Sequence, residues 1–186
     1  MVREIVKKAF RVVVPYDLYW IYRAAENLPQ LPAPPDVVIT PVDVAQVEAS
    51  PYVSINRLGG FGGTESAGFG AWVDGKLVAV CWFWWGDRYR TRGNLWPIGL
   101  NAAKLVHIVT DPDFRGRGIA PALITAGVQM IRQRGFAEVY ARIWHSNRSS
   151  LQAFQKGGWL RLAFAARIWG IPFRSKWLAR QSLAVD

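Results

Sequence analysis

A short segment rich in arginine and glycine has the residue types and spacing to hold a bulky anion. It reads Arg115-Gly116-Arg117-Gly118 and lies between an apolar run and the helical pattern of residues 119–134. The first turn of a helix has four backbone N–H groups without an internal partner, and the helix dipole adds positive potential there. The two glycines leave space for a bulky group, and the two arginines add charge at its rim. The segment therefore predicts a site for a phosphate or diphosphate.

Three phosphate-binding patterns can be compared with this segment. A P-loop needs Gly-x-x-x-x-Gly-Lys-Ser/Thr, which the sequence lacks. A dinucleotide-binding fingerprint needs a third glycine at the position of Pro121. The acyl-CoA diphosphate loop of the GNAT acetyltransferases is Arg/Gln-x-x-Gly-x-Gly/Ala, and Arg115, Gly118 and Ala120 match it. The segment therefore resembles an acyl-CoA loop.

A second stretch, after one further predicted strand, resembles the other GNAT signature. That signature is an asparagine, an aromatic residue seven positions later, then a glycine and another aromatic residue. Asn147, Phe154, Gly158 and Trp159 take these places in "NRSSLQAFQKGGW". The two motifs have the right separation, and the resemblance covers about residues 104–159.

The resemblance implies a cleft for acyl-CoA where two neighbouring parallel strands splay apart, near Thr110 and His145. The pantetheine arm would pair with one strand, and the diphosphate would lie on the loop amides. Asn147 would contact the arm, and Phe154 would lie close to the thioester sulfur. The donor would be acetyl-CoA or another acyl-CoA, and no metal is expected. The residues expected to bind the donor are Ile108, Val109, Thr110, Arg115, Gly116, Arg117, Gly118, Ile119, Ala120, Asn147 and Phe154.

The implied reaction is direct attack of a neutral primary amine on the thioester carbonyl, without an acyl-enzyme. The enzyme then has to supply proximity, an oxyanion donor and an acceptor for the proton of the amine. The family often has a tyrosine at the position of Phe154, and that tyrosine protonates the leaving thiolate. Phenylalanine cannot do so, but a thiol of pKa ~8.5 is a fair leaving group unaided.

Two histidines are the candidate catalytic bases. His107 lies on the strand before the loop, and His145 lies at the end of the next strand, so both border the expected cleft. A histidine titrates in the useful pH range. Asp111 and Glu65 are weaker candidates for the same task. The structural alternatives are a hydrogen-bonded core residue for His107 and an exposed strand end for His145.

The N-terminal third of the chain has predicted elements but no recognisable motif. Residues 17–28 read as a short helix with Asp17 as N-cap, and residues 36–41 read as a strand. The first 17 residues combine basic side chains with an apolar run that Arg11 interrupts. We expect this stretch to be neither a signal peptide nor a membrane anchor.

A short helix, a loop and a hairpin are predicted next. Thr40 as N-cap and Pro41 at the first helical position favour the helix. Six glycines in residues 56–70 indicate a mobile loop. Asp74-Gly75 is a two-residue turn signal between two strand-like runs. The second run is continuously apolar, so we expect a central strand covered on both faces.

The rest of the chain alternates between predicted strands and helices. Strands are expected at 104–110 and 137–144, helices at 119–134 and 146–158, and two final strands around Gly170. The order favours an α/β (α+β) fold over residues 1–186, with the motif-bearing core at about 66–170. The resemblance implies a central mixed, mostly antiparallel sheet, flanked by helices, whose two parallel strands splay at the cofactor cleft.

Charge and cysteine content bound the partners and the compartment. The net charge is +10, and residues 139–185 contain no acidic residue but several arginines and tryptophans. Such a field attracts anions, so an acidic acyl carrier protein and peripheral membrane contact are left open as partners beside the expected small-molecule amine. No motif for specific nucleic-acid binding is present, and a homodimer is left open. The single cysteine, Cys81, excludes an intramolecular disulfide and makes a cytoplasmic location the default.

Several function classes follow from these observations. The leading interpretation is an N-acyltransferase that moves an acetyl group from acetyl-CoA to a primary amine. A long-chain N-acyltransferase, resembling the N-acyl amino acid synthases, would use the tryptophans and the apolar run 77–85 to line a wider pocket. Phe154 keeps open an acyl-CoA-binding module without catalysis. The charge keeps open a basic module for nucleic acid or membrane.

Overall fold

A computed structural model describes residues 16–92, 96–168 and 171–174. Its centre is one sheet of eight strands in the order β2-β3-β4-β5-β6-β1-β7-β8. The strands are β1 Tyr16–Ala24, β2 Val38–Val42, β3 Ser66–Val73, β4 Lys76–Trp84, β5 Ala102–Thr110, β6 Glu138–Trp144, β7 Trp159–Ile168 and β8 Ile171–Arg174. The helices are α1 Val44–Glu48, α2 Val53–Asn56, α3 Gly86–Thr91, α4 Ile119–Gln133 and α5 Arg148–Lys156, with 3-10 turns at Gly59–Phe61 and Pro112–Phe114.

Strands β5 and β6 form the parallel pair that opens the sheet. Their pairing runs from Ala102 with Glu138 to Leu105 with Ala141, and both strands continue beyond it. The other described pairs of neighbouring strands are antiparallel. The expected fold, a mixed and mostly antiparallel sheet with two splayed parallel strands, is therefore confirmed.

A β-bulge at Val106 lies where β5 leaves β6. Trp82 pairs with His107 while the next β4 residue, Phe83, pairs with Leu105, so Val106 has no partner on β4. A bulge adds one residue to one strand and bends it locally. The bend separates the second half of β5 from β6.

The two faces of the sheet are covered by different elements. On β4, Cys81 and Phe83 pack in a core cluster with α4, and we call this side the α4 face. Val80 and Trp82 point the other way, into a cluster with residues of α1 and α2. We call this side the second face. Because β4 is buried throughout from Leu77, the expectation of a central strand is confirmed.

The predicted hairpin is also confirmed. Asp74 has a φ of 48° and Gly75 a φ of 71° between β3 and β4. Positive φ at both central residues is the geometry of a type I′ turn, whose twist matches that of paired strands.

The helix predicted over residues 17–28 is wrong, because this segment contains strand β1. It lies between β6 and β7 and pairs with both over most of its length. Its aromatic and branched side chains suit a pleated sheet better than a helix. Asp17 is consequently a strand residue and not an N-cap.

Two further expectations in the first half are corrected. Thr40 and Pro41 belong to β2, and helix α1 starts later, behind a capping box in which Asp43 and Gln46 bond to each other's backbone. The glycine-rich segment 56–70 contains a 3-10 turn and the start of β3. Arg88 holds the turn by donating hydrogen bonds to the carbonyls of Gly60 and Gly62.

The N-terminal expectation and the end of the last predicted strand lie outside the described residues. Within the described ranges, no helix combines the length and the apolar character needed to span a bilayer.

Candidate active site

A cavity of about 530 Å³ opens where β5 has left β6. Its walls are the second half of β5, the loop that follows, the start of α4, and α5. Ten of the eleven residues expected to bind the donor line this cavity, Arg117 being the exception. The structure therefore brings the two sequence motifs together at one site.

The loop before α4 has the backbone of an anion cradle. Gly116 has a φ of 79° and Gly118 a φ of 81°, and a Cβ built on either would meet no atom within 4 Å. Glycine is favoured at both because their φ lies in the left-handed region. The first intrahelical bond runs from the N–H of Ala122 to the carbonyl of Gly118, so the N–H groups of Ile119 and Ala120 precede it. These amides are available to an external acceptor.

The second half of β5 presents an unpaired edge to the cavity. It is bonded to β4 up to Thr110, but its pairing with β6 ends at Leu105. The Thr110 hydroxyl is buried and, among the described residues, has no hydrogen-bond partner. An extended polar chain lying along this edge would satisfy both the backbone groups and the hydroxyl. The cradle, the edge and the hydroxyl together fit the diphosphate and amide arm of an acyl-CoA.

The side chain of Arg117 lies outside the cavity. It forms an ion pair with Asp36 and stacks with its guanidinium carbon 5.6 Å from the centre of the Phe114 ring. The hydrogen bond from Arg117 is the main cause that lowers the pKa of the Asp36 carboxyl. Arg115 remains at the rim, and its Nε donates to the carbonyl of Thr110 at 3.2 Å.

Asn147 and Phe154 line the cavity from α5. Asn147 is the N-cap of this helix, and its Oδ1 accepts hydrogen bonds from the Ser150 N–H at 3.2 Å and the Ser149 hydroxyl at 2.9 Å. Phe154 is 2% exposed and packs edge-on against Trp159, with ring centres 4.8 Å apart. The capping alternative for Asn147 therefore holds alongside its place in the cavity wall.

Asp111 and Glu65, the weaker candidates for a base, both make structural hydrogen bonds. The Asp111 carboxylate accepts from the Ser54 hydroxyl at 2.6 Å and from the Asp113 N–H at 3.2 Å. Glu65 has a φ of 55°, and its carboxylate accepts from the Arg88 N–H at 2.9 Å. This bond satisfies a free N–H group in the first turn of α3.

The two candidate histidines lie outside the wall of this cavity between β5, α4 and α5. His107 pairs with Trp82 and lies on the second face, where its ring stacks on Phe61 with centres 4.6 Å apart. Burial lowers the pKa of His107, which keeps it neutral at pH 7. His145 follows β6, and its Nε2 is 3.2 Å from the Tyr16 hydroxyl. The two histidines thus belong to different surroundings.

Lys104 is a buried charge-bearing residue that the sequence analysis missed. It is 2% exposed, and its Nζ lies 4.5 Å from the Trp96 ring and 4.9 Å from the Tyr89 ring. Burial, and secondarily the Arg142 guanidinium, lowers the pKa of Lys104 well below its ordinary value. The two rings favour the ammonium, but desolvation of the buried ion is the larger effect and lowers the pKa of Lys104. Its signal in the sequence is a lone lysine inside the apolar strand AAKLV.

The described residues were also compared with the side-chain clusters that bind metal ions. In residues 16–92, 96–168 and 171–174, no group of three or more His, Cys, Asp or Glu side chains is placed to hold a metal ion. The free Cys81 is fully buried, and burial raises the pKa of its thiol.

A comparison with known protein families identifies the family of this chain. The profile described as the acetyltransferase (GNAT) family matches residues 17–159, which is well over half of the chain. The chain belongs to the GNAT acetyltransferase family. The resemblance carried by the two motifs is therefore confirmed, and the match also includes the strand β1, where the sequence offered no motif.

Solved structures of GNAT proteins share this fold. A GNAT-family protein from Novosphingobium aromaticivorans is 20% identical with a TM-score of 0.57, over 81% of this chain and 62% of that chain. A GNAT acetyltransferase from Colwellia psychrerythraea is 19% identical with a TM-score of 0.60, over 87% of this chain and 57% of that chain. The GNAT chain described here thus spans less than two thirds of the length of either structure. A comparison with curated proteins returned no match.

Proposed function

We propose that this GNAT protein transfers an acetyl group from acetyl-CoA to a small primary amine by direct attack on the thioester. The observation that carries the proposal is the cavity where the unpaired edge of β5 meets the glycine cradle before α4. An edge and a cradle at this spacing suit a ligand with an extended amide arm and a diphosphate. The family is one of acetyltransferases, which agrees with such a donor.

The donor would be held mainly by backbone groups. The N–H groups from Arg115 to Ala120 would bind the diphosphate, with the helix dipole of α4 adding positive potential. The backbone of residues 108–110 would pair with the pantetheine arm. Asn147 and Phe154, on the opposite wall, would contact the arm and the sulfur end.

The acetyl group is favoured over a long acyl chain by where the tryptophans lie. Trp82, Trp84 and Trp96 are buried in the core and do not line the cavity. These three tryptophans therefore do not form the wall of a wider apolar pocket for a long acyl chain. A donor panel of acetyl-CoA, a long-chain acyl-CoA and an acylated carrier protein tests the choice, with acetyl-CoA expected to give the fastest release of free thiol.

The chemistry needs an amine without its extra proton, held close to the thioester. Proximity and orientation supply much of the rate, and a backbone N–H at the β5 edge can donate to the oxyanion. His107 and His145 remain candidate acceptors for the proton of the amine, and His107 has the neutral form that such a role requires. Since Phe154 cannot donate a proton, the leaving thiolate would be protonated by water or by the attacking amine itself.

Calorimetric titration with acetyl-CoA tests the donor site directly. Ala120→Glu places a carboxylate at the start of α4, where a negative charge stabilises the helix by about 0.3–1 kcal/mol but repels a diphosphate. We expect at least a tenfold loss of affinity with the fold retained. Ala120→Gln separates the effect of volume from that of charge. Ala137→Glu, at an exposed position before β6, is the matched control. Unchanged affinity in Ala120→Glu would falsify the proposed donor site.

A further inference from the structure

Lys104 lies on the second face at the point where the sheet opens. Trp84 is its partner on β4 and Tyr140 its partner on β6. Trp82 and Trp84 are two residues apart on β4 and so share a face, which places Lys104 on the same side as His107. One more residue pair, Leu105 with Ala141, separates Lys104 from the gap between the strands.

Aromatic and charged side chains from the neighbouring elements surround Lys104. The rings of Tyr89, in α3, and of Trp96, before β5, cover the Nζ of Lys104. Tyr140 and Arg142 of β6 lie beside it. Among the described residues, no carboxylate forms an ion pair with Lys104. The nearest along β6, Glu138, is already used, because it accepts a hydrogen bond from the Tyr140 hydroxyl and pairs with Arg23.

This environment favours the neutral form of the Lys104 amine, because it lowers the pKa of that amine well below its ordinary value. Burial removes the water that would solvate an ammonium, Arg142 repels it, and no carboxylate in the described part of the chain pairs with it. The lone pair is then free to accept a proton. The two aromatic rings would attract the ammonium once it forms, because a cation over an aromatic face is stabilised.

The gap between β5 and β6 begins one residue pair beyond Lys104, on the side of the proposed donor cavity. The donor cavity lies between α4, α5 and the second half of β5. An acceptor amine would approach the thioester through this gap from the second face. Lys104 precedes the bulge at Val106 by two residues, roughly 7 Å of strand, so a bound amine would lie between Lys104 and the acyl group.

We propose that Lys104 is the group that takes the proton from the ammonium of the acceptor before acyl transfer. The proposal rests on the N-acyl transfer proposed above and names a catalytic residue for it. Lys104 Nζ accepts one proton, directly or through one water, from R–NH3⁺. The resulting R–NH2 attacks the thioester carbon, the C–N bond forms and the C–S bond breaks. The second proton of the amine goes to the leaving thiolate, and Lys104 returns its proton to solvent.

The kinetic test compares Lys104→Met with Lys76→Met. Lys76 is exposed at the start of β4 and gives a matched loss of one lysine. The assay measures thiol release from acetyl-CoA with phenethylamine as the probe acceptor. A positioned base contributes about 100-fold or more, so kcat/KM should fall at least 100-fold at pH 7 in Lys104→Met and stay unchanged in Lys76→Met.

The pH profile separates a base from a structural residue. In Lys104→Met the rate should recover about tenfold per pH unit as the free amine fraction rises toward pH 10. The affinity for acetyl-CoA should stay the same in this variant. A wild-type rate and pH profile in Lys104→Met would overturn the role of Lys104. Failure of the wild-type protein to bind acetyl-CoA would overturn the proposed function instead.

A direct titration needs neither a variant nor an acceptor. In protein labelled with ¹³C at lysine Cε, the Lys104 resonance, assigned by comparison with Lys104→Arg, reports its protonation by chemical shift. We expect Lys104 to be neutral at pH 7 while the resonance of Lys76 is that of an ammonium. A Lys104 resonance that stays ammonium-like up to pH 10 would rule out the proposed role.

Discussion

The hydroxyl of Ser54 donates a hydrogen bond of 2.6 Å to the carboxylate of Asp111. This contact joins α2, on the second face, to the first residue after β5. Asp111 also accepts from the Asp113 N–H and so shapes the turn that leads into the glycine cradle. A helix on the second face and the loop before α4 are thereby linked through one carboxylate that is 6% exposed.

Ser54→Ala is expected to lower the free energy of unfolding by about 1–3 kcal/mol, because it leaves a buried carboxylate with one partner fewer. Acetyl-CoA should also bind several-fold more weakly, since the turn before the cradle is less restrained. Urea unfolding and calorimetry measure the two effects. Asp113→Asn, at an exposed position in the same turn, is the control. Equal donor affinity in Ser54→Ala and wild type would show that α2 and the loop are not coupled.

Phe154→Tyr is expected to change kcat by less than about threefold. The variant adds a hydroxyl at the place where the family often has a tyrosine acid. A thiolate with a conjugate acid of pKa ~8.5 leaves well without help, so proton donation should not limit the rate. Steady-state thiol release at pH 6, 7 and 8 measures the effect. A gain of tenfold or more would mean that the departure of the thiolate is the slow step.

His107 should make the fold less stable in mild acid. Burial lowers its pKa below the ordinary value, so between about pH 6.5 and the folded pKa the unfolded chain binds more protons. The contribution of the neutral His107 to the free energy of unfolding is therefore present above about pH 6.5 and is lost as the pH falls through the folded pKa. His107→Phe keeps an aromatic ring on Phe61 and removes this term. Urea unfolding at pH 5.0 and 7.5 should show a larger fall for wild type, and parallel curves would contradict the expected shift.

Lys104→Met should raise the Tm at pH 7 by roughly 2–4 °C, equivalent to about 1 kcal/mol for a domain of this size. The unfolded lysine has a pKa of about 10.4 and the buried one a lower pKa, so stability falls as the pH drops below 10.4 toward the folded pKa. Methionine has a similar shape and no proton to lose. The gain should shrink when the Tm is measured near pH 10, and a lower Tm at pH 7 would contradict the prediction.

The grouping of the two motifs around one cavity was predictable because much of its information is local in the chain. Gly116 and Gly118 set the backbone of the loop by themselves, and Asn147 caps its own helix. The hairpin at Asp74-Gly75 is local in the same way. Short motifs of this kind fix backbone geometry wherever the rest of the chain lies.

The features that the sequence did not reveal depend on distant partners. Tyr19 and Trp20 belong to a strand because they pair with Trp144 and Ile143 of β6, more than a hundred residues later. No local sequence pattern predicts this pairing. Lys104 looks like an ordinary strand lysine until α3 and the Trp96 loop cover it. Its burial is a property of the packed sheet and is absent from the residues next to it.

The bulge at Val106 has a consequence for the genetics of this protein. Between the positions opposite Trp82 and Phe83, β5 has one residue more than β4. Deletion of the Val106 codon would give β4 and β5 equal numbers of residues at this point and would draw β5 back toward β6. Such a deletion would keep every side chain that lines the cavity, and it would still narrow the gap between β5 and β6.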